Sequence, residues 1–347
     1  MVVWIGFAAL ILFLLALDLG VFHRKAHVVS VREGLAWSIV WATLALTFTV
    51  FIYQAYDHKW FGLGLTPDAV DRTATMPDGA INDGASAVVK YLTGYVVEQS
   101  LSVDNMFVMA VLFRMFAVPA ALQHRVLFWG ILGALAMRGV MVAIGTTLVT
   151  RFSWVLYVFG VFLIFTAFKM LFANTDEEQD PAQNPVVRFT RRFLPTTRRY
   201  YGNKFFVRRG KALFLTPLAL ALVVVEATDL VFAVDSIPAI FAITADPFLV
   251  FASNAFAILG LRSLYFVLAG ALTAFRYLKV SLAVVLAMVG TKMLAHHYLQ
   301  ELLGEHFNLY MLAAIVLILG TGIGASLLVS APVESPGHGV STEADAS

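Results

Sequence analysis

The sequence contains no cysteine and few charged residues. Without cysteine in its 347 residues, disulfides, thiolate metal sites and cysteine nucleophiles are excluded. Charged residues make up 13% of the chain, about half of the roughly 25% that is usual in soluble domains. The net charge is only +2 and no basic patch is interleaved with aromatic residues, which argues against nucleic-acid binding.

Hydrophobic residues, by contrast, make up 60% of the chain. They occur in blocks of about 18 to 25 residues, the length that crosses a hydrocarbon core of about 30 Å. We therefore predict an all-α polytopic membrane protein with about nine transmembrane helices. The expected spans are approximately 2–22, 36–55, 88–113, 126–148, 153–173, 212–234, 239–260, 278–296 and 308–330.

The segments between and after these spans predict the domain limits and the orientation. The apolar piece near 262–275 is expected to be a buried or interfacial connector, and the polar tail 331–347 to be disordered. This leaves 1–330 as the transmembrane domain. Lys and Arg mark cytoplasmic loops, and the long loop at about 174–211 is the most basic, whereas segment 56–87 is acidic. The alternation predicts an N-terminus outside and a C-terminus in the cytoplasm.

Two blocks of the chain, about 88–173 and 212–296, are weakly similar to each other. S102-V-D-N-M-F-V-M109 aligns with A227-T-D-L-V-F-A-V234, and I131-L-G133 and K169-M-L171 align with I258-L-G260 and K292-M-L294 at nearly constant spacing. Each block contains three predicted spans. A block with an odd number of spans begins and ends on opposite sides of the membrane, so the second block would be inverted relative to the first. Two inverted three-helix repeats are a recurring plan of transporters, whose binding site lies between the repeats.

The first predicted helix of each block carries acidic residues. In the first block Glu98 and Asn105 share a helix face with Ser102, and Asp104 lies at its edge. In the second block Glu226, Asp229 and Ser236 share one face. Asp235 points the opposite way unless Pro238 opens the helix and turns it inward. The candidate metal ligands are Glu98, Asp104, Asn105, Glu226, Asp229, Asp235 and Ser236.

Buried carboxylates of this kind predict cation binding. A carboxylate at a helix centre costs about 2.5–3.5 kcal/mol to insert, and neighbouring carboxylates repel each other, so that one retains a proton. A bound cation relieves both penalties. The site would therefore hold a metal in one state and protons in another, and oxygen ligands without His or Cys favour hard ions such as Mn²⁺, Mg²⁺ or Ca²⁺.

Four further polar residues fall in or beside the predicted spans. Asp18 and Asn254 could extend a polar pathway, or they could form helix–helix hydrogen bonds. Arg138 and Arg262 are interpreted as neutralising a carboxylate or contacting lipid headgroups. The methionines at 106, 109 and 115 are interpreted as packing residues.

Several long motifs resemble the TerC/Alx integral membrane family. They are V97-E-Q-S-L-S-V-D-N-M-F-V108, V225-E-A-T-D-L-V-F-A-V-D-S-I-P-A-I240, S253-N-A-F-A-I-L-G-L-R-S-L-Y-F266, and A16-L-D-L-G20 with E33-G-L-A-W-S38. The resemblance covers about residues 5–330. It implies a bacterial inner-membrane protein that is associated with tellurium resistance by name and with manganese efflux in some members. The family's acidic positions would fall on Asp18, Glu98, Asp104, Asn105, Glu226, Asp229, Asp235 and Ser236.

These observations predict a transporter rather than an enzyme. The expected activity is export of Mn²⁺ in exchange for protons, with no permanently bound cofactor and with membrane lipid as the surroundings. A tellurium phenotype would be indirect, because clustered carboxylates repel an oxyanion. One alternative is a membrane-biogenesis or metalation factor acting with the secretion machinery. Another, an intramembrane aspartyl hydrolase, requires two aspartates that share a proton, but no GxGD motif surrounds Asp104, Asp229 or Asp235.

Overall fold

The computed structural model describes residues 2–18, 30–65, 68, 82–152, 154–172, 195–197, 199–209, 212–269, 277–295, 298–299 and 307–328. Within these ranges the chain forms nine α-helices and a two-stranded antiparallel hairpin. The helices are α1 (Val2–Leu17), α2 (Val31–Asp57), α3 (Gly84–Met115), α4 (Ala120–Arg151), α5 (Val155–Phe172), α6 (Pro217–Phe241), α7 (Pro247–Ala269), α8 (Leu278–Leu294) and α9 (Phe307–Leu328). The strands are β1 (Phe206–Arg209) and β2 (Ala212–Leu215).

Seven of the nine helices that the structure describes are long and apolar enough to cross a membrane, namely α2 to α7 and α9. Helix α1 is apolar but has 16 residues, and α8 has 17. The prediction of a multi-pass, mainly helical membrane protein is therefore confirmed, and seven of the nine expected spans have membrane-crossing length.

The predicted boundary between the sixth and seventh spans was wrong. Helix α6 continues through Pro238 to Phe241, where the prediction ended a span at 234 because a proline usually interrupts a helix. Pro238 is buried, and the backbone N–H of Ala242 donates to its carbonyl oxygen over 3.0 Å. Close packing by neighbouring helices allows a proline inside a membrane helix. The helix is consequently not opened beside Asp235.

Two other predicted limits also change. Helix α7 extends through Arg262 to Ala269, so the first part of the expected connector 262–275 is helical, and its remainder from 270 lies outside the described residues. Residues 212–215, predicted to begin a span, form a strand instead, with Leu215 paired to Phe206. Thr216 then caps α6 by accepting the backbone N–H of Ala219. Residues 174–194 and the tail 331–347 lie outside the described part of the chain.

Two helix pairs, α3 with α7 and α5 with α8, pack most extensively in the interior. Helix α7 is the most deeply buried span, and α3, α2 and α4 pack along it. Helix α5 packs along α8, where Gly160 and Gly290 face each other, and a Cβ at Gly290 would lie 2.8 Å from the Gly160 carbonyl oxygen. Small residues at such a crossing allow the two backbones to approach closely. Helix α6 contacts α3, α4 and α5, so the acidic helices α3 and α6 meet inside the bundle.

Candidate ion-binding site

The guanidinium of Arg138 lies at the centre of a buried polar cluster. Its Nη1 forms an ion pair with Glu98 Oε1 and donates over 3.0 Å to Asn254 Oδ1. Its Nη2 donates to Asp229 Oδ1 over 3.4 Å. The four side chains come from α3, α4, α6 and α7, and all are buried. We call Glu98, Arg138, Asp229 and Asn254 the central cluster.

Local features of the helices position these groups. The amide nitrogen of Asn254 donates to the Val250 carbonyl oxygen one turn earlier over 2.8 Å, which leaves its Oδ1 directed at Arg138. On α4, Gly133 leaves room for the half-buried carboxylate of Glu226, because a Cβ at that position would overlap it. The Glu226 carboxylate of α6 can therefore approach the backbone of α4 closely.

Several oxygen atoms near these residues are able to accept a further partner. In the part of the chain that the structure describes, Glu98 Oε2, Asp229 Oδ2 and the hydroxyl oxygens of Ser102 and Ser236 are buried without a hydrogen-bond partner. Leaving such an atom unpaired costs about 1–3 kcal/mol. A cation or water would supply the missing interactions. Asn105 is buried on the same helix as Ser102.

Asp235, by contrast, does not join the central cluster. Asp235 faces α5, where its Oδ1 accepts a hydrogen bond from Thr166 over 3.3 Å. The expectation that Pro238 turns Asp235 inward was wrong, because α6 is continuous. Asp104 lies in α3, but its side chain is outside the described part of the structure. Among the described residues, no three Asp, Glu or His side chains lie close enough together to hold a metal.

A second buried ion pair joins α1 to α7. Arg262 Nη1 donates to Asp18 Oδ2 over 2.5 Å, while Nε and Nη2 of Arg262 are buried without a partner in the described chain. Arg262 lines two clefts, one beside Asp18 and Trp37 and the other beside Asp229 and Met106. Each of the two predicted arginines is thus paired with a carboxylate, and Arg262 also shares a cleft with Asp229.

The sequence analysis missed a third buried network at one end of the bundle. Lys90 of α3 is fully buried, and its Nζ donates to Asp68 Oδ2 over 3.1 Å and to Asn82 Oδ1 over 2.6 Å. Asp68 also accepts from Thr244 Oγ1 over 2.6 Å and from the Ala245 backbone N–H over 2.8 Å. Asp68, from the chain before α3, is thereby hydrogen-bonded to the turn between α6 and α7.

Asp246 completes this Asp68 network. Its Oδ1 accepts the backbone N–H groups of Phe248 and Leu249, which caps α7, and its Oδ2 accepts from Asn82. Burial and the neighbouring Asp68 charge raise the pKa of Asp246 to about 6, although hydrogen bonds from Tyr56 and the backbone oppose the rise. Lys90 lies about two turns, roughly 12 Å, along α3 from Glu98. The sequence feature that could have revealed this network is Lys90, a charged residue inside an apolar span.

Comparisons with known proteins agree with the motifs. Residues 83–333 match the model of the integral membrane protein TerC family. An uncharacterized membrane protein of Myxococcus xanthus is 45% identical over 343 residues, covering 99% of this chain and 95% of that protein. A protein of Escherichia coli K12 named "putative membrane-bound redox modulator Alx" is 43% identical over 318 residues, covering 90% of this chain and 93% of that protein.

A further relative, an uncharacterized membrane protein of Rickettsia bellii, is 40% identical over 296 residues, covering 85% of this chain and 89% of that protein. No solved structure matches the chain. The family model covers most of the chain, and full-length relatives share more than a third of its residues. On this evidence the chain belongs to the integral membrane protein TerC family.

Proposed function

We propose that the protein exports a hard divalent cation, Mn²⁺, from the bacterial cytoplasm across the inner membrane in exchange for protons. The observation that carries this proposal is the convergence of Glu98 and Asp229, from two different spans, on one positive charge inside the bundle. Intramembrane carboxylates are costly, and they usually mark an ion pathway. Oxygen ligands of this kind suit Mn²⁺, Mg²⁺ and Ca²⁺.

The ligand set would combine the cluster with the free oxygens beside it. Glu98, Asp229 and Asn254 are already together, and the hydroxyl oxygens of Ser102 and Ser236 have no partner among the described residues. Asn105, Asp104, Glu226 and Asp235 stay candidates for other stages of the transport cycle. Exchange with protons would follow because the carboxylates need a positive partner whenever the metal is absent.

The packing of the two blocks supports an inverted-repeat architecture. Each helix of the first block contacts its counterpart in the second block: α3 contacts α6, α4 contacts α7, and α5 contacts α8. The cross pairs α3–α7 and α4–α6 are also in contact. A two-fold axis that exchanges the blocks would convert the α3–α7 contact into the α6–α4 contact. It would leave each contact between counterpart helices unchanged. Transporters with inverted repeats bind their substrate at this interface.

The name of the Escherichia coli relative raises the question of redox activity. This chain has no cysteine, so it has no thiol with which to carry out thiol–disulfide exchange. A redox effect, like a tellurium phenotype, would therefore act through the metal content of the cell. Transport of a redox-active metal ion provides that connection without any thiol of the protein.

The proposal is tested with purified protein in vesicles that contain a Mn²⁺-sensitive dye under an imposed proton gradient. We expect wild-type flux to fall by about tenfold or more in Asp229→Asn and Glu98→Gln, because a charge-assisted contact is worth about 1.5–3 kcal/mol. Asp57→Asn, at the exposed end of α2, is the control and should retain the flux.

Undiminished flux in a correctly inserted Asp229→Asn protein would contradict the assignment of the site. A wild-type protein that moves neither Mn²⁺, Mg²⁺ nor Ca²⁺ would contradict the export function itself. In that case, co-purification with components of the secretion machinery would favour a metalation or membrane-biogenesis role.

A further inference from the structure

In the conformation that the structure describes, the cation among the carboxylates is Arg138. It uses separate nitrogens for Asp229 and Glu98, and it also bonds Asn254. The side chain is fully buried, so these groups and not water compensate its charge. Two carboxylates and one guanidinium leave the central cluster with one excess negative charge, which still attracts a cation.

A divalent ion bound to the same two carboxylates would lie within a few ångströms of the guanidinium. Like charges repel strongly at that range in a medium of low dielectric constant. The ion would also need the carboxylate oxygens to which Arg138 now donates. Metal and guanidinium therefore exclude each other from full contact with Glu98 and Asp229.

We propose that Arg138 is a tethered competitor of the transported ion. It releases Glu98 and Asp229 when the ion binds, and it takes both carboxylates back when the ion leaves. This inference rests on the proposed export function and adds to it the group that drives release. The empty protein could then return with one carboxylate charge compensated by Arg138 and the other by a proton, as exchange with protons requires.

The geometry provides a route for the exchange. The contact between Arg138 and Asp229 is long, at 3.4 Å, and the second oxygen of Asp229 is unpaired in the described chain. An incoming ion can therefore bind Asp229 before the arginine has moved. Asn254 Oδ1, at 3.0 Å, is a neutral partner that can keep the guanidinium bonded while the carboxylates hold the metal.

Arginine suits this role because it stays protonated at all relevant pH values. Its planar fork also contacts two acceptors at once, which a lysine ammonium does less well. Arg151 provides the control, because it is exposed at the end of the same helix, α4, and takes no part in the central cluster. Removing its charge leaves Glu98 and Asp229 paired to Arg138.

The experiment measures Mn²⁺ binding to the purified full-length protein, using the paramagnetic resonance signal of free Mn²⁺, together with Mn²⁺ flux in vesicles. We expect Arg138→Gln to bind Mn²⁺ about tenfold or more tightly, equivalent to at least about 1.4 kcal/mol, and to release it more slowly. Arg138→Lys should fall between this variant and wild type, and Arg151→Gln should bind as wild type does.

Arg138→Ala provides a second measurement in case the loss of the charge impairs folding. Its thermal unfolding is followed in detergent with Mn²⁺ or with guanidinium at low millimolar concentration. The competitor role predicts that either cation raises the unfolding temperature and that guanidinium weakens Mn²⁺ binding. Unfolding temperatures that neither cation changes would overturn it.

The outcomes separate this inference from the export function. Wild-type flux combined with unchanged or weaker Mn²⁺ binding in Arg138→Gln would overturn the competitor role and leave export standing. Tight binding by Arg138→Gln with no wild-type flux would support the competition and contradict export. Absence of Mn²⁺ binding in both proteins would overturn the two proposals together.

Discussion

Three buried basic side chains, Lys90, Arg138 and Arg262, each contact a carboxylate from another segment of the chain. A buried ion pair adds little net stability, because both charges lose their hydration. Removing one partner is far more damaging, since the other charge is left buried and uncompensated. These ion pairs therefore determine which side chains meet. The loss of stability when one partner is removed can be measured by mutation.

At the residue scale, we expect Asp68→Ala to destabilise the protein by about 3–5 kcal/mol, because it leaves the Lys90 ammonium without its carboxylate. The double variant Asp68→Ala with Lys90→Met should recover part of this loss. Asp57→Ala, at an exposed position, should change stability by less than about 0.5 kcal/mol. Denaturant unfolding in detergent measures all three. An equal effect of Asp57→Ala and Asp68→Ala would contradict the role of the network.

The raised pKa of Asp246 predicts a pH dependence of stability. The folded protein holds this proton up to about pH 6, whereas an unfolded aspartate loses it near the ordinary value of 3.8. The contribution of the protonated form to stability is therefore fully present below about pH 4. It is lost as the pH rises towards 6, by up to about 3 kcal/mol.

Asp246→Asn should abolish this decrease, because asparagine also caps a helix but does not ionise. Tyr56, Asn82 and Asp68 face the same carboxyl group and are unchanged in the variant. Asp83→Asn, at the cap of α3, is the matched control. Unfolding measured between pH 4 and 7 tests the prediction, and a decrease that persists in Asp246→Asn would disprove it.

At the scale of the elements, contacts between helices decide how close the backbones lie. Pro238 stays inside α6 because the surrounding helices bury it, so local propensity gives way to packing. Gly160 and Gly290 allow α5 and α8 to touch, and Gly133 makes room on α4 for Glu226. The residue type that is tolerated at each of these positions depends on contact with a neighbouring helix, not on the helix that contains it.

Gly290→Ala is expected to destabilise the protein by about 1–3 kcal/mol, because the new Cβ would press on the backbone of α5. Gly320→Ala is the matched control in α9, where nothing lies within 4 Å of the added Cβ. There alanine should be neutral or stabilising by up to about 1 kcal/mol, since it favours a helix over glycine. Thermal unfolding of both variants checks the contrast, which would be absent if α5 and α8 did not touch.

At the scale of the whole molecule, the described polar groups form layers along the bundle. The Asp68 network lies where α2 and α6 end and α3 and α7 begin, and the central cluster lies roughly 12 Å further along α3. In the hairpin region that precedes α6, Lys204 lies just before β1 and Arg208 lies within it. The charge pattern predicts that the hairpin faces the cytoplasm and the Asp68 network the outside.

The chain has no cysteine, so this orientation can be tested with single introduced thiols. We expect a membrane-impermeant thiol reagent to label His58→Cys, at the exposed end of α2, on intact cells. Lys204→Cys should be labelled only after the membrane is opened. Phe165→Cys, on the lipid-facing side of α5, is a control that should react in neither case. Labelling of Lys204→Cys on intact cells would reverse the predicted orientation.

The length of the apolar blocks was enough to predict the class of protein and most of its spans. Helical periodicity placed Glu98 with Ser102 and Asp229 with Ser236 on buried faces, because side-chain direction along one helix depends only on local geometry. The proline at 238 and the apolar residues 212–215 were misread, because a buried proline and a short strand depend on distant contacts. Lys90 was missed although its charge within an apolar span is visible in the sequence.

The sequence by itself therefore determined that this is a multi-pass helical membrane protein of the TerC family and which helices carry its carboxylates. Only the tertiary structure decided which charge meets which carboxylate. Arg138 binds Glu98 and Asp229, Arg262 binds Asp18, and Asp235 faces Thr166. The physical reason is that these pairings depend on how helices rotate and cross against one another, and that arrangement is set by packing across the whole bundle.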